Sequence, residues 1–457
     1  MSISTKPPTG TRDFLPETMA QRRWVIGVVE EVYRRYGFLP LETPALENLS
    51  TLLGKYGEEG DQLIFRLLHR GEKLGRVLDG APESVSESRL ADLGLRYDLT
   101  VPLARVVAEH GARLPKFFRR YQIQPVWRAD RPARGRFREF YQCDADIIGS
   151  TSMAVEVELL SAVCEIFDGL GFTDVSIKLN HRQLLFALVD AAGIPADKET
   201  EALVAMDKLD KIGVEGVEAE LAGRGIAPGA IEALRPVLAQ ELDASGDAVL
   251  DRLELRVGGS ERGRQGIADL RELLALSART AAHGRLTLDP VLARGLSYYT
   301  GPIFEVHVAD LAGSLAGGGR YDELIGMFLG RPVPACGIAL GLERILVVMA
   351  EREMFGSLKT GPDVLVCYWS AELGGESLAL ATELRRAGLA VELYPEPTKL
   401  GKQLKYASSR DIPLVAIMAP DEVERGAVQL KDLRGGDQHD LLRAEVAERA
   451  RALLRDR

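Results

Sequence analysis

The chain is short of the residues from which most reactive sites are built. It has six histidines and four cysteines in 457 residues. The cysteines, Cys143, Cys164, Cys336 and Cys367, form no CxxC pair and have no histidine at metal-ligand spacing. That argues against a structural zinc site or a disulfide framework and fits a reducing, cytoplasmic setting. No Ser-His-Asp or Cys-His set stands out, and no metal site is expected. There is no GxxxxGK[ST] and no GxGxxG between a strand and a helix, so neither P-loop nor dinucleotide chemistry is supported. No apolar run approaches the roughly 18 residues of a membrane span, and the opening MSISTKPPTGTRDF lacks the apolar core of a signal peptide. Repeats and low-complexity tracts are absent too.

What is present is ordinary globular material with one unusual stretch. An apolar fraction of 46% supplies ample core, and the length suggests two to four domains at roughly 150 residues each. The net charge of −10 argues against a surface that binds nucleic acid everywhere. Between Arg113 and Arg138 the balance inverts, with nine Arg or Lys against one acid, Asp130. A focused basic patch on an acidic protein suits phosphates, although a lone basic run is ordinarily a solvated tip.

That patch lies within RRYQIQPVWRADRPARGRFREFYQCDADI, residues 119–147. Two strand-patterned runs flank a short basic loop, Arg131 to Gly135, as in a hairpin with a charged tip. Counting by twos, Gln122, Gln124 and Arg128 share one face of the first run; Arg138, Gln142, Asp144 and Asp146 share one face of the second. Apolar groups fill the opposite faces. A sheet face of arginines, glutamines and carboxylates is costly to bury without partners, so it should line a cleft for a polar ligand.

The flanking chain reads as α+β. Residues 17–36 form an amphipathic helix ended by Gly37. FLPLETPALE is a strand held to an edge, a bulge or a subunit boundary by Pro40 and Pro44. LIFRLLHRGEKLGRVL reads as a hairpin turning near Gly71. A strand carrying Arg96, Asp98 and Thr100 leads to a helix from Pro102. Met153 to Leu170 is helical, and VSIKLN is a short strand. Residues 181–285 are helical in period and poor in aromatics, an insertion between strand-rich flanks. The main domain resumes with ARGLSYYTGPIFEVHV; Gly317 to Gly319 precede Arg320 and Tyr321, and CGIALGLERILVVMA runs from strand into helix with Arg344 in its first turn. After Gly361-Pro362 a βαβαβ run implies a small parallel-sheet domain. The divisions are 1–180 with 286–360, 181–285, and 361–457.

Four arginines, Arg128, Arg136, Arg294 and Arg344, fall on strands or at a helix start. Buried arginines need anions, and polyphosphate supplies them bidentately. Singly, each is more often a salt-bridge residue than a ligand contact; together with the polar strand faces they point to phosphate.

On these residues the chain resembles the class II aminoacyl-tRNA synthetases, and specifically the histidyl-tRNA synthetase family. RGLSYYTG at 294–301 is close to the family's RGLDYY; RYDLT at 96–100 and QCDADI at 142–147 follow its pattern, and GLERI resembles the third class II motif. The resemblance implies an antiparallel-sheet catalytic domain with a helical insertion, a small α/β anticodon-binding-like domain, and a homodimer. It implies ATP as substrate with Mg²⁺, histidine, and histidine tRNA. Arg128, Arg294 and Arg344 would be catalytic, and Arg128, Asp130, Arg136 and Arg344 would hold ATP. Asp98, Thr100, Gln142, Asp146, Arg294, Tyr298, Tyr299 and Tyr321 would form the histidine pocket. Arg131 and Arg134 at the tip, and Lys399, Lys402, Lys405 and Lys431 in the last domain, would meet tRNA. Ser297 stands where the family usually has Asp, and Ala133 where many bacterial enzymes carry a glutamine. Two related readings are a synthetase-like regulatory subunit of ATP phosphoribosyltransferase, against which residues 362–457 argue, and a non-catalytic tRNA sensor, against which the retained arginines argue.

Overall fold

The computed structural model describes residues 3–79, 87–239, 247–293, 298–356, 358 and 361–455. The chain divides into two compact units, Met1–Gly356 and Ser357–Arg457. None of the described helices is long and apolar enough to cross a membrane.

In the first unit the strands in chain order are β1 (Leu39–Pro40), β2 (Leu46–Asn48), β3 (Arg66–Leu68), β4 (Ala91–Leu95), β5 (Phe118–Trp127), β6 (Glu139–Ile148), β7 (Ser176–His181), β8 (Leu286–Leu288), β9 (Pro302–His307), β10 (Ala316–Arg320) and β11 (Ala335–Gly341). Eight of them form one sheet in the order β1-β5-β6-β11-β10-β9-β7-β8. Its middle is antiparallel throughout, and its two outermost pairs, β1 with β5 and β7 with β8, are parallel. β2, β4 and β3 form a separate small sheet.

The alternation of β6 orients the sheet. Cys143, Ala145 and Ile147 enter the main core together with Val155, Leu159, Val163 and Phe167 of the Ala154–Gly169 helix. The intervening Gln142, Asp144 and Asp146 are thereby turned to the other face. Pro16–Arg35 is helical, with Pro16 in its first turn, Arg34 and Arg35 in its last, and Gly37 at a φ of +75° just beyond, the punctuation a helix end requires. Its Val25, Val29, Val32 and Tyr33 join the same core.

The helices that follow β7, including Arg182–Ala191 and Glu261–Ser277, also pack into that core through Leu184, Leu188, Ile267 and Leu270. Two local expectations are corrected. The expected hairpin at Gly71 is instead strand β3 followed by a helix, Gly71–Leu78. The sequence EKLGRVL repeats at helical spacing, and the turn-like glycine merely starts the helix. The expected continuous strand FLPLETPALE is broken in two, because Pro44 denies a ladder donor between β1 and β2.

The second unit contains β12 (Val364–Val366), β13 (Val391–Leu393), β14 (Leu414–Ile417), β15 (Ala427–Asp432) and β16 (Gln438–Leu442) in the order β13-β12-β14-β15-β16. The first three are parallel and joined through the helices Gly374–Arg386 and Leu400–Ser409. The expected all-parallel sheet is therefore mixed, since β15 and β16 add an antiparallel hairpin.

Candidate functional site

The polar face of β6 pairs in register with a polar face of β5. Arg120 lies opposite Asp146, Gln122 opposite Asp144, and Gln124 opposite Gln142. The sheet thus brings three carboxamides, two carboxylates and a guanidinium side by side, and of these Gln142, Asp144 and Asp146 line a cavity of about 360 Å³. Within it the structure brings together Asp98, Thr100, Gln142, Asp146, Tyr298, Tyr299 and Tyr321 with Arg128, Asp130, Arg136 and Arg344. Arg294, Gly295 and Ser297 lie outside the described residues.

At one end, Asp98 is buried and accepts from the Tyr56 hydroxyl at 3.0 Å, the Tyr298 hydroxyl at 3.4 Å and the Val101 amide at 3.1 Å. The last bond ties it to the start of the Thr100–His110 helix. Burial raises its carboxyl above the ordinary value, partly opposed by the Val101 amide and Arg128. Asp146 accepts from the Tyr321 hydroxyl and lies 2.7 Å from Arg120 Nη2. Its carboxyl is likewise pushed up, by burial first, with Arg120 pulling the other way. Burial holds the Tyr56, Tyr298 and Tyr321 phenols well above their usual range, so all three remain donors.

Gln142 Oε1, Asp144 Oδ1 and Asp146 Oδ2 are buried without a hydrogen-bond partner, although Asp146 Oδ2 keeps its ion pair with Arg120. Buried polar atoms are nearly always paired. The unpartnered Gln142 and Asp144 oxygens line the cavity, with the unpartnered Arg120 Nε on the same sheet face, and they suit a ligand that carries N–H groups.

The other end of the cavity is cationic. Arg128 Nε donates to the Tyr97 carbonyl at 3.0 Å, and its guanidinium lies 4.2 Å over the Tyr97 ring. Arg344 Nη1 donates to the Ser314 carbonyl at 2.5 Å. The hairpin tip is closed by reciprocal amide bonds between Ala133 and Arg136, with Gly135 at a φ of +67° packed on Arg344. Arg136 is exposed on that tip, 3.9 Å from Asp130. Arg131 is exposed as well. Arg134 is not aimed at the cavity: it pairs with Glu351 and donates to the Asp310 carbonyl at 3.3 Å. Glu343, one residue before Arg344, receives Arg22 at 2.8 Å on one oxygen and the Tyr141 amide at 2.9 Å on the other.

Sequence reasoning missed Arg120, fully buried, and Tyr56. Arg120 shares the parity of Gln122 and Gln124, so the signal was available. Tyr56 sits in a loop before a short helix and offers no periodic cue. All four cysteines are buried and free, and burial raises each thiol, so none is poised as a nucleophile.

In the second unit Lys399, Lys402 and Lys405 are exposed along the Leu400–Ser409 helix and the residue that caps it. Lys431 is half-buried on β15 opposite Val415 of β14. Val415 packs with Ala407 of that helix, so Lys431 shares the helix's side of the sheet.

The histidyl-tRNA synthetase family model matches residues 10–345, and an anticodon-binding-domain model matches 363–453. A curated relative from Porphyromonas gingivalis, "Histidine--tRNA ligase", is 44% identical over 98% of this chain and 99% of its own. The crystal structure of histidyl-tRNA synthetase from a Nostoc species superposes with a TM-score of 0.79 at 30% identity, covering 99% of this chain and 100% of the other. A Bacillus halodurans structure described as an ATP phosphoribosyltransferase regulatory subunit/histidyl-tRNA synthetase has a TM-score of 0.71 over 90% of this chain and 98% of its own. At 23% identity it shares the fold.

Proposed function

The chain belongs to the histidyl-tRNA synthetase family, and from that premise we propose how its cleft divides the work. The protein is a class II histidine–tRNA ligase. It activates histidine with ATP to histidyl-adenylate and transfers the histidyl group to the 3′ end of histidine tRNA.

The buried acceptors of β6 that line the cavity, Gln142, Asp144 and Asp146, carry the site reading. Histidine offers an ammonium and an imidazole N–H, and the acceptor end of the cavity supplies partners for both. Asp98, Thr100 and Gln142 take the ammonium; Asp146 and Tyr299 face the imidazole, with Tyr298 and Tyr321 as walls. The carboxylate of histidine then points toward the arginines. It is ionised at neutral pH, so attack on the α-phosphorus needs no general base. Catalysis becomes alignment and neutralisation of charge on the pentavalent phosphorus. Arg128 holds the α-phosphate, and Arg136 and Arg344 clamp the β and γ end, with Asp130 beside the nucleotide. Arg294 is assigned to the gap between the histidine carboxylate and the α-phosphate.

Magnesium binds through one or two carboxylates together with phosphate oxygens. Asp130 and Glu305 both line the cleft and fit that donor set. Bound there, the ion would neutralise triphosphate charge.

Arg131, and Arg134 once released from Glu351, are assigned to the tRNA acceptor end; Lys399, Lys402, Lys405 and Lys431 supply phosphate contacts in residues 361–457. The catalytic domain is assigned to 1–180 with 286–360, and the insertion to 181–285. A homodimer is proposed across the edge strand β1, where Leu39 is 58% exposed; sedimentation as a monomer at micromolar concentration contradicts it. Buried free thiols suit a reducing cytoplasm.

The test is ATP–pyrophosphate exchange with each of the twenty amino acids. Exchange with histidine alone is expected; exchange driven by another amino acid, or none with histidine, removes the assignment.

A further inference from the structure

Residues 8–14, ahead of the Pro16–Arg35 helix, are built onto the hairpin that carries Arg128 and Arg136. Thr11 closes a turn on the Pro8 carbonyl, through its amide at 3.0 Å and its hydroxyl at 2.7 Å. Within that turn Gly10 takes a φ of +85°, and its carbonyl accepts from the Arg138 amide at 2.8 Å. A Cβ at position 10 would stand 2.7 Å from the Arg138 side chain, so the close approach depends on glycine. Arg138 is held in turn. Its carbonyl accepts from the Arg128 amide at 2.9 Å, and its Nε donates to the Asp130 carbonyl at 3.1 Å.

Arg12 follows directly and reaches two walls of the cleft at once. Its guanidinium lies 3.3 Å from the centroid of the Phe137 ring, and its Nη2 is 3.7 Å from Glu343 Oε1. Phe137 and Glu343 both line the cavity, and each is next in sequence to an arginine that also lines it, Arg136 and Arg344. Phe14 packs alongside, its ring 5.0 Å from the Arg12 guanidinium and 4.0 Å from that of Arg22. Glu343 Oε1 already receives Arg22 at 2.8 Å, and Arg12 Nη2, though buried, has no hydrogen-bond partner among the described residues. Burial lowers the Arg12 pKa, with Glu343 opposing. Stacking on a ring and a long ion pair are weak contacts. What sets Arg12 apart is where they lead.

We propose that Arg12 is a positioning residue for ATP: it ties the hairpin tip that bears Arg136 to the helix start that bears Arg344, and so fixes the spacing of the two groups assigned to the β and γ phosphates. The proposal rests on that phosphate reading of the cleft. The two phosphates are joined covalently, so guanidinium contacts at both of them require a set separation between the arginines. The tip already leans on the helix start, since a Cβ at Gly135 would stand 3.3 Å from Arg344 Cγ. Arg12 braces the same junction from the side of the N-terminal segment, which Gly10 anchors at Arg138. Arg12 is not one of the described residues that line the cavity. Its effect is therefore confined to the triphosphate end and reaches the ligand only through Phe137 and Glu343.

The experiment uses the full-length enzyme and three ligands. ATP and pyrophosphate both present the β and γ phosphates, whereas the non-hydrolysable sulfamoyl analogue of histidyl-adenylate has neither. Arg12→Ala, checked for a wild-type thermal melt, should raise the KM for ATP and for pyrophosphate in exchange by about fivefold or more, the scale of a weakened charge-assisted contact. The KM for histidine and the affinity for the analogue should stay within about twofold of the wild type. If Arg12→Ala melts early, Arg12→Lys carries the same comparison; it keeps the charge but not the planar fork, and should show the same pattern at about twofold. KM values for ATP and pyrophosphate at the wild-type level in both variants, or a loss of analogue affinity as large as theirs, would make Arg12 merely structural and overturn the proposal alone. The control is Arg344→Ala: if its affinity for ATP, measured by equilibrium binding, equals that of the wild type, the phosphate reading of the cleft fails first.

Discussion

Gly337 lies directly opposite Asp146 in the β11–β6 ladder, and a Cβ built on it would stand 1.9 Å from Asp146 Oδ1. The carboxylate occupies the space that any side chain at 337 would take. Tyr321 and Arg120 hold that carboxylate from the other directions, so it has little freedom to withdraw. Gly337→Ala should therefore displace the group assigned to the imidazole while leaving the arginine end intact. We expect the KM for histidine to rise at least about tenfold, with a smaller change for ATP, in steady-state exchange. An unchanged histidine KM would show that Asp146 does not contact the substrate.

Arg120 has no exposed surface, and besides Asp146 it donates to Gln122 and the Leu99 carbonyl at 3.3 Å each. Removing one partner of a buried pair leaves the other uncompensated, at a cost of about 3–5 kcal/mol. Arg120→Met should lower stability by about that amount in urea titrations. Arg120→Met combined with Asp144→Asn removes one charge of each sign, and the loss should be smaller than the sum of the two single losses. Strict additivity would mean that Arg120 and Asp144 do not sense each other.

Much of this site was legible because a strand has a period of two. Gln142, Asp144 and Asp146 could be assigned to one face before any coordinates, and the cleft followed from the price of burying that face. Arg120 obeys the same rule, two residues before Gln122. The pairing of Arg134 was not legible: its partner, Glu351, is 217 residues away, and only tertiary packing reveals that the basic tip is partly neutralised. Gly71 misled for a local reason, since glycine marks turns and helix starts alike. The pairing of the β15–β16 hairpin onto the parallel strands depends on long-range contact with β14 that no short pattern encodes.

Glu343 joins four segments at the start of the Leu342–Glu351 helix. Arg22, buried, and the Tyr141 amide hold it, and Arg12 approaches to 3.7 Å. Its neighbour Arg344 is assigned to the γ-phosphate. Glu343→Gln keeps an acceptor for Tyr141 but weakens the pairing of Arg22, so the helix start should shift. The expected result is a rise of about fivefold or more in the KM for ATP with a smaller change for histidine, the scale of losing about 1 kcal/mol of charge-assisted hydrogen bonding. Equal changes for both substrates would indicate a general loss of folding rather than positioning of Arg344.

The Arg182–Ala191 and Glu261–Ser277 helices are linked by His181 Nε2 and Asp269 at 3.1 Å, while His181 Nδ1 accepts from the Gln183 amide. Burial alone would raise the Asp269 carboxyl, but hydrogen bonds and charge from His181 bring it below the ordinary value. A carboxyl depressed in the folded state contributes stability above its unfolded value, about 3.9, and loses that contribution as the pH falls through the depressed one. Unfolding free energy should fall below about pH 4 more steeply in the wild type than in Asp269→Asn. Parallel acid limbs in denaturant titrations at pH 3 to 6 would show that the contact carries no pH-dependent stability.

Lys399, Lys402 and Lys405 recur every three residues and are exposed, so they line one side of the Leu400–Ser409 helix. Such contacts would give affinity through displaced counterions and no base reading. Each phosphate contact to a single-stranded region contributes about −0.7 to the slope of log affinity against log salt. Changing all three lysines to alanine in the full enzyme should therefore flatten that slope by about 2 units and weaken tRNA binding at low salt, while histidine-dependent exchange without tRNA is retained. The lysines lie in the unit matched by the anticodon-binding model, whereas the adenylate-forming cleft is built from the first unit. An unaltered slope would reduce these lysines to solvated surface charges and move the tRNA contacts of this unit elsewhere, with Lys431 on β15 the next to test.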